Sequence, residues 1–173
     1  MAADEIDTQI LGSSDVVIHT TSFTELEAAT DRMVSQATRT IRIVSHDTEP
    51  ALYGREHFTD LLGEFIARRA KVAKIRLLIV DPQRAVQETH RLVTLWHRFP
   101  SFIELRELRD QYAMTREAFM VVDETGLIRR PEHESLAAVI TFRSLTTARD
   151  RAAWFDEAYA HSAPCVALRR LTL

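Results

Sequence analysis

A strand, an amphipathic helix and a second strand follow one another between Arg39 and Pro82, and this unit constrains the fold more than any other stretch. Arg39–Asp47 and Lys74–Pro82 are short aliphatic runs bounded by polar residues, which is typical of buried strands. The segment between them carries apolar residues every three or four positions, at Phe58, Leu61, Leu62, Phe65 and Ile66. Two strands joined by a helix most economically lie parallel in one sheet.

Further elements extend this unit on both sides. Ser22 and Glu25 have the spacing of a capping box and predict a helix from about Phe23 to Thr38. A second helix is predicted from Ala85 to about Phe99. The other predicted elements are strands at Val16–Ile18, Phe102–Leu105, Ala118–Val122, Leu127–Ile128 and Leu136–Phe142 and a last helix at Leu145–Tyr159. We therefore predict an α/β fold with a mixed, largely parallel sheet and helices on both faces.

The length of 173 residues, of which 46% are hydrophobic, favours one domain with a substantial core. Met1–Ser14 is rich in polar and small residues, so we predict a partly ordered arm at residues 1–14 and a single domain at 15–173.

The formal charge of −3 excludes a global field that would draw the chain onto nucleic acid or an anionic membrane, although a local patch stays open. Cys165 is the single cysteine, so an internal disulfide and a cysteine-based zinc cluster are excluded. No apolar run approaches the roughly 20 residues of a membrane-spanning helix, and no export signal opens the chain. These features predict a cytoplasmic protein without membrane insertion.

Between roughly Phe23 and Ser162, each in its place among the helices, lie the segments RTIRIVS, KIRLLIVDP, AFMVVDETG and WFDEAYAHS. This order of elements resembles one half of the phospholipase D superfamily. It implies a phospholipase D-like α/β fold and the signature H-x-K-x-x-x-x-D on AFMVVD. In that family the histidine attacks a phosphodiester phosphorus and the lysine holds a nonbridging oxygen. Single-motif members pair, so the resemblance also implies a homodimer.

This chain departs from the signature at the residues that carry the chemistry. Counting back from Asp123 places Arg116 at the histidine position and Ala118 at the lysine position. A guanidinium stays protonated and is a poor nucleophile, and alanine offers no charge to phosphate. We therefore predict a degenerate site without phospholipase D catalysis. Asp123 is either a remnant of the ligand site or a turn residue that caps its own backbone.

Polar residues at strand ends are the next candidates. Ser45, His46 and Asp47 end a predicted strand, where ligand crevices of α/β sheets lie. His46 beside Asp47 is a poor general-base pair, because neighbouring strand residues point to opposite faces. His90 and His97 are too far apart to share a metal, so no metal site is predicted. No motif predicts a cofactor.

Arginines form the more promising pattern. Arg91, Arg98 and Arg106 are predicted to converge on a phosphate or carboxylate at one sheet edge, with solvated or salt-bridged surface arginines as the alternative. The run Arg68–Arg76 is the densest basic segment. It either complements a helix dipole or binds nucleic acid, and it lacks the interleaved aromatics of a single-strand platform.

These patterns predict a non-catalytic binding or regulatory module that recognises a phosphate-containing ligand or a protein partner. The alternatives are a phosphodiesterase or nuclease with a rearranged nucleophile, such as His90 or His133, and a nucleic-acid-associated protein. The candidate ligand-binding residues are Ser45, Asp47, His90, Arg91, Arg98, Arg106, Arg116 and Asp123.

Overall fold

The computed structural model describes residues 2–87 and 91–169, and its centre is one eight-stranded sheet. In chain order the strands are β1 (Val17–Thr20), β2 (Thr40–Ser45), β3 (Lys74–Ile79), β4 (Ile103–Glu107), β5 (Ala118–Val122), β6 (Gly126–Arg130), β7 (Ala138–Thr141) and β8 (Ala163–Pro164). Their order across the sheet is β1-β7-β6-β5-β2-β3-β4-β8.

Helices cover both faces of this sheet. They are α1 (Ala2–Asp7), α2 (Phe23–Ser35), α3 (Pro50–Tyr53), α4 (Glu56–Arg68), α5 (Pro82–Val86), α6 (Arg91–Arg98), α7 (Thr147–Ala160) and α8 (Val166–Arg169), with a 3-10 helix at Asp110–Met114. The α/β class and the mixed sheet are confirmed.

The prediction of a largely parallel sheet is wrong. Only the β2–β3 and β3–β4 pairs are parallel, whereas the other five pairs are antiparallel. The unit of Arg39–Pro82 is parallel as predicted, because helix α4 crosses over between its strands. The second half instead returns through short loops, such as residues 123–125 between β5 and β6, and short loops force antiparallel pairing.

Two apolar layers flank the sheet. Helices α1, α2, α4 and α6 pack on one face around fully buried side chains such as Phe58 and Phe65. Helix α7 packs on the other face through Phe155, against strand residues such as Phe119 and Val121. Each aliphatic strand contributes side chains to both layers. This explains why β2 and β5 are buried along nearly their whole length.

The N-terminal segment, predicted as an arm, contains a helix that packs on the domain. Ile6 of α1 is fully buried in the core, and the Gly12 backbone N–H donates to the Phe142 carbonyl at 2.8 Å. The packing of this helix could not be predicted from the polar composition of residues 1–14, because one aliphatic side chain is enough to bury one face of so short a helix.

Helix boundaries differ from the predictions at two places. The Ser22 hydroxyl caps α2 by accepting from the Glu25 backbone N–H at 3.4 Å, as predicted, but α2 ends at Ser35. The helix predicted over Ala85–Phe99 corresponds to two described helices, because α5 ends at Val86 with Gln87 as its C-cap and α6 covers Arg91–Arg98. None of the described helices is long and apolar enough to cross a membrane.

Candidate functional site

Several polar residues meet where β2, β3 and β4 end, which we call the carboxyl end of the sheet. Strand β5 runs antiparallel to β2, so its beginning lies at this end, and Val44 pairs with Phe119 there. Strand β6 in turn ends here, with Arg130 opposite Ala118. Residues distant in sequence therefore become neighbours at the edge where α/β sheets bind ligands.

A stacked pair of histidines lies at the centre of this end. The rings of His46 and His133 have centroids 3.3 Å apart and planes inclined by 12°. His46 Nε2 lies 3.0 Å from the Thr115 carbonyl oxygen, and since a carbonyl only accepts, this nitrogen carries the proton and donates. Burial and the adjacent His46 lower the pKa of His133, so His133 is favoured in its neutral form.

His133 keeps both ring nitrogens unbonded among the described residues, since the structure records only backbone hydrogen bonds for it. A neutral imidazole offers one N–H donor and one nitrogen acceptor. The ring is therefore held by stacking and by the backbone, with its polar atoms available to a ligand.

A buried ion pair between Arg130 and Glu49 lies next to the histidine pair. Arg130 bonds to Glu49, and their side chains are only 9% and 17% exposed. Arg130 also donates to the His133 carbonyl oxygen at 3.2 Å, which fixes the loop that carries the histidine. Burial raises the pKa of Glu49, and the charge of Arg130 opposes that rise.

The loop between β2 and α3 brings Glu49 to this position through an uncommon backbone conformation. Glu49 has a φ of 41°, and the Asp47 carboxylate accepts from its backbone N–H at 2.7 Å. Left-handed backbone at a residue with a side chain costs of order 1 kcal/mol. Pro50 then starts α3 at the position where proline is favoured.

A cleft of about 320 Å³ opens beside this ion pair. Its polar walls are Asp47, Glu49, Arg84 and Arg130, and Phe23 and Leu26 of α2 are among its apolar walls. Asp47 and Arg84 form an ion pair of 3.3 Å across the mouth. The cleft therefore combines two carboxylates and two guanidiniums with an apolar wall.

The register of β5 and β6 places a histidine and an arginine next to the positions where the family signature would lie. Arg130 pairs directly with Ala118 across the strands, and cross-strand partners project from the same face. Beyond the strand ends, the His133 backbone N–H donates to the Arg116 carbonyl at 2.8 Å. The neighbouring segment thus supplies an imidazole and a cation where β5 carries Arg116 and Ala118.

The predicted site residues are only partly brought together. Ser45, Asp47 and Arg116 lie at the carboxyl end, where the buried Ser45 side chain helps to lower the pKa of Glu49 through a hydrogen bond. Arg116 is exposed and forms an ion pair of 2.8 Å with Glu132. His90 lies outside the described residues.

The predicted convergence of Arg91, Arg98 and Arg106 is wrong. Arg91 and Arg98 occupy the two ends of α6, where Arg91 lies 3.9 Å from Glu56 and the Arg98 guanidinium stacks on the Phe99 ring. Seven helical positions span about 10.5 Å, and the two guanidiniums are held at different partners, so they do not converge. Arg106 is held at Ser162 by bonds of 2.7 and 2.9 Å.

Asp123 lies at the opposite end of the sheet from the histidines. Its carboxylate accepts from the backbone N–H groups of Thr38, Arg39 and Thr40 at 2.7, 2.7 and 2.9 Å, and from the Thr38 hydroxyl at 2.8 Å. It therefore anchors the β5–β6 turn to the start of β2 and caps another segment's backbone, and not its own as the turn interpretation predicted.

Sequence reasoning missed Arg130 and Glu49 as site residues and named His133 only as an alternative nucleophile. The signal for Arg130 was present, because a tight turn after Val122 sets the register that places Arg130 opposite Ala118. Glu49 carried no comparable signal. No group of three potential metal-ligating side chains occurs among residues 2–87 and 91–169.

Comparison with solved structures defines the class of the fold. TrmBL2, an archaeal chromatin protein, matches 87% of the chain with a TM-score of 0.61 and 13% identity. The phospholipase D family member Nuc from Salmonella typhimurium matches 87% with a TM-score of 0.56 and 13% identity, and NucT from Helicobacter pylori 87% with 0.56 and 8%. The matches cover 97% of Nuc and 99% of NucT, but the chain spans about half of TrmBL2, 54%. The chain has a phospholipase D-like fold.

Residues 22–171 match the model of DUF7931, described as a domain of unknown function, and the chain belongs to this family. No curated protein matches it.

Proposed function

We propose that the chain is a non-catalytic phospholipase D-like module whose carboxyl end binds a phosphate-bearing ligand through His133 and Arg130. The observation that carries this proposal is the cross-strand placement of both groups, with Arg130 opposite Ala118 and His133 bonded to the backbone of Arg116. An imidazole N–H and a guanidinium are both donors to phosphate oxygens.

The charges favour binding over turnover. A histidine nucleophile on phosphorus needs a nearby cation that offsets the growing negative charge of the transition state. Arg130 is already neutralised by Glu49, and the Nε2 atom of His46 donates to Thr115. Arg116 at the signature's histidine position is a poor nucleophile because it stays protonated.

Glu49 is expected to compete with the ligand for Arg130. The pKa of Glu49 is raised, so the carboxyl takes up a proton at a higher pH than an ordinary glutamate and then releases Arg130. We therefore expect the affinity for bis(4-nitrophenyl) phosphate to increase as the pH falls from about 8 to about 5. Glu49→Gln should increase the affinity at the upper pH about tenfold, equivalent to 1.4 kcal/mol.

This phosphodiester keeps one negative charge across that range, so its own titration does not contribute. Protonation of His133 acts in the same direction as protonation of Glu49. The glutamine variant separates them, since it should weaken the pH dependence without removing it. Calorimetric titration of both proteins measures this, and equal affinities at the upper pH would contradict competition by Glu49.

Phosphodiester hydrolysis with His133 as the nucleophile is the second candidate. It is favoured by the unbonded ring nitrogens of His133 and by the lowered pKa, because a neutral imidazole is the nucleophilic form. Hydrolysis would release 4-nitrophenol from the bound bis(4-nitrophenyl) phosphate, whereas binding alone would not. Pairing of two copies and a cytoplasmic setting, both expected from the sequence, stay predictions.

A further inference from the structure

We propose that a second surface, at the end of the sheet opposite the phosphate site, binds the phosphate backbone of double-stranded nucleic acid. We call it the amino-end surface. Its cations are Arg39, Arg69, Lys71, Lys74 and Arg98, all exposed to solvent. It shares no residue with the phosphate site and is independent of the proposed function.

The fold collects these cations at the starts of the parallel strands. Thr40 pairs with Lys74 at the start of β2 and β3, and the Lys74 backbone N–H donates to the Arg39 carbonyl at 3.0 Å. Arg69 follows the last residue of α4, which leads into β3. Arg98 ends α6, which leads into β4. Lys71 lies between Arg69 and Lys74 in the same connection, so all five cations lie at this end of the sheet.

The cations of the amino-end surface are not paired with carboxylates. None of the five forms an ion pair with a carboxylate of the described residues. At the turn after β5 the Asp123 carboxylate accepts from the backbone of residues 38–40, so its charge offsets one of the five cations, and Glu124 bonds to Arg42 at 3.3 Å. The surface is therefore a local positive field on a chain with a net charge of −3.

Complementing helix dipoles is the alternative role for these cations, because α2, α4 and α6 all end here. Arg68 has that role at α2, where it donates to the Ser35 and Ala37 carbonyls at 3.2 Å each. For this reason it is not counted in the surface. The side chains of Lys71 and Lys74 bond to no helix-end carbonyl of the described residues, which distinguishes them from Arg68.

The surface lacks the apolar groups that other polyanion partners need. Val72 is the one exposed large hydrophobic residue in the loop between α4 and β3, at 52% exposure. Phe99 and Phe102 pack against the core. A membrane-bound surface inserts an apolar face, and a single-strand platform stacks bases on exposed aromatics. A backbone-tracking contact with a duplex requires cations alone.

The test is binding of a fluorescent duplex oligonucleotide, measured by anisotropy at salt concentrations from about 50 to 200 mM. Four phosphate contacts should lower the affinity roughly 100-fold across that range. Lys71→Gln/Lys74→Gln should reduce the slope of log K against log salt by about 2. The control Arg91→Gln/Arg109→Gln makes the same charge change at the carboxyl end and should leave the slope unchanged.

Three results would overturn the proposal. The first is no duplex binding at the lowest salt concentration. The second is a Lys71→Gln/Lys74→Gln variant that binds like the wild type, including one that loses thermal stability alone, since that assigns the lysines to the helix ends. The third is binding to vesicles rich in phosphatidylserine without binding to the duplex, which assigns the surface to a membrane.

Discussion

Replacing Arg130 with methionine is expected to lower the free energy of unfolding by about 3 kcal/mol at neutral pH. The change leaves Glu49 buried without its cation. The carboxyl then stays protonated in the folded state, and holding a group with an ordinary pKa of 4.5 protonated at pH 7 costs about 3.4 kcal/mol. For a chain of this length we expect the thermal midpoint to fall by about 6 to 12 °C.

The pH dependence identifies the cause. A raised pKa means that folded Glu49 keeps its proton to a higher pH than unfolded Glu49, so the stability falls as the pH rises above 4.5. The deficit of Arg130→Met should therefore shrink as the pH is lowered towards 4.5. Thermal denaturation at several pH values measures this. Glu49→Met/Arg130→Met should recover most of the loss, and a deficit of equal size at every pH would contradict a role for the buried charge.

Removing the Asp123 carboxylate is expected to cost about 2 kcal/mol, because it accepts three backbone N–H bonds and one hydroxyl bond. The bonds lie near the surface, where water replaces part of their free energy. Asp123 has a φ of 51°, so Asp123→Gly removes the carboxylate without backbone strain, whereas Asp123→Ala adds about 1 kcal/mol of strain.

Chemical denaturation of these variants gives the two contributions separately. Asp123→Asn retains one acceptor oxygen and tolerates the left-handed backbone, so we expect a loss between zero and that of the glycine variant. Phosphodiester affinity should be unchanged in all three variants, because Asp123 lies at the other end of the sheet. A loss of affinity in the folded Asp123→Asn variant would show that Asp123 belongs to the ligand site.

Local sequence patterns predicted the elements that depend on local physics. The apolar stripe of α4 and the cap at Ser22 are confirmed, as is the parallel unit of β2 and β3. The direction of the second half could not be read from strand patterns alone, because a buried strand has the same aliphatic composition in a parallel and an antiparallel pair. Loop length was the informative signal, and the turn at 123–125 was recognised as hairpin-like.

The candidate site was less predictable because it is assembled from pairs across strands. His46 was rejected as half of a dyad with Asp47, and the stacking partner found in the structure, His133, lies in a loop after β6. The Glu49–Arg130 pair joins two residues 81 positions apart. Only the register of β5 and β6 brings these groups together, and it followed from the turn that the sequence already indicated.

The most direct test of the phosphate site is a titration of the histidine ring signals by NMR with bis(4-nitrophenyl) phosphate, while released 4-nitrophenol is measured in the same sample. We predict a saturable shift of the His133 signals, its loss in His133→Asn and no release of 4-nitrophenol. His133 is half-buried at the surface, so this variant should fold. Release that His133→Asn abolishes would establish hydrolysis instead, and unshifted His133 signals at saturating phosphodiester would contradict a phosphate site at the carboxyl end.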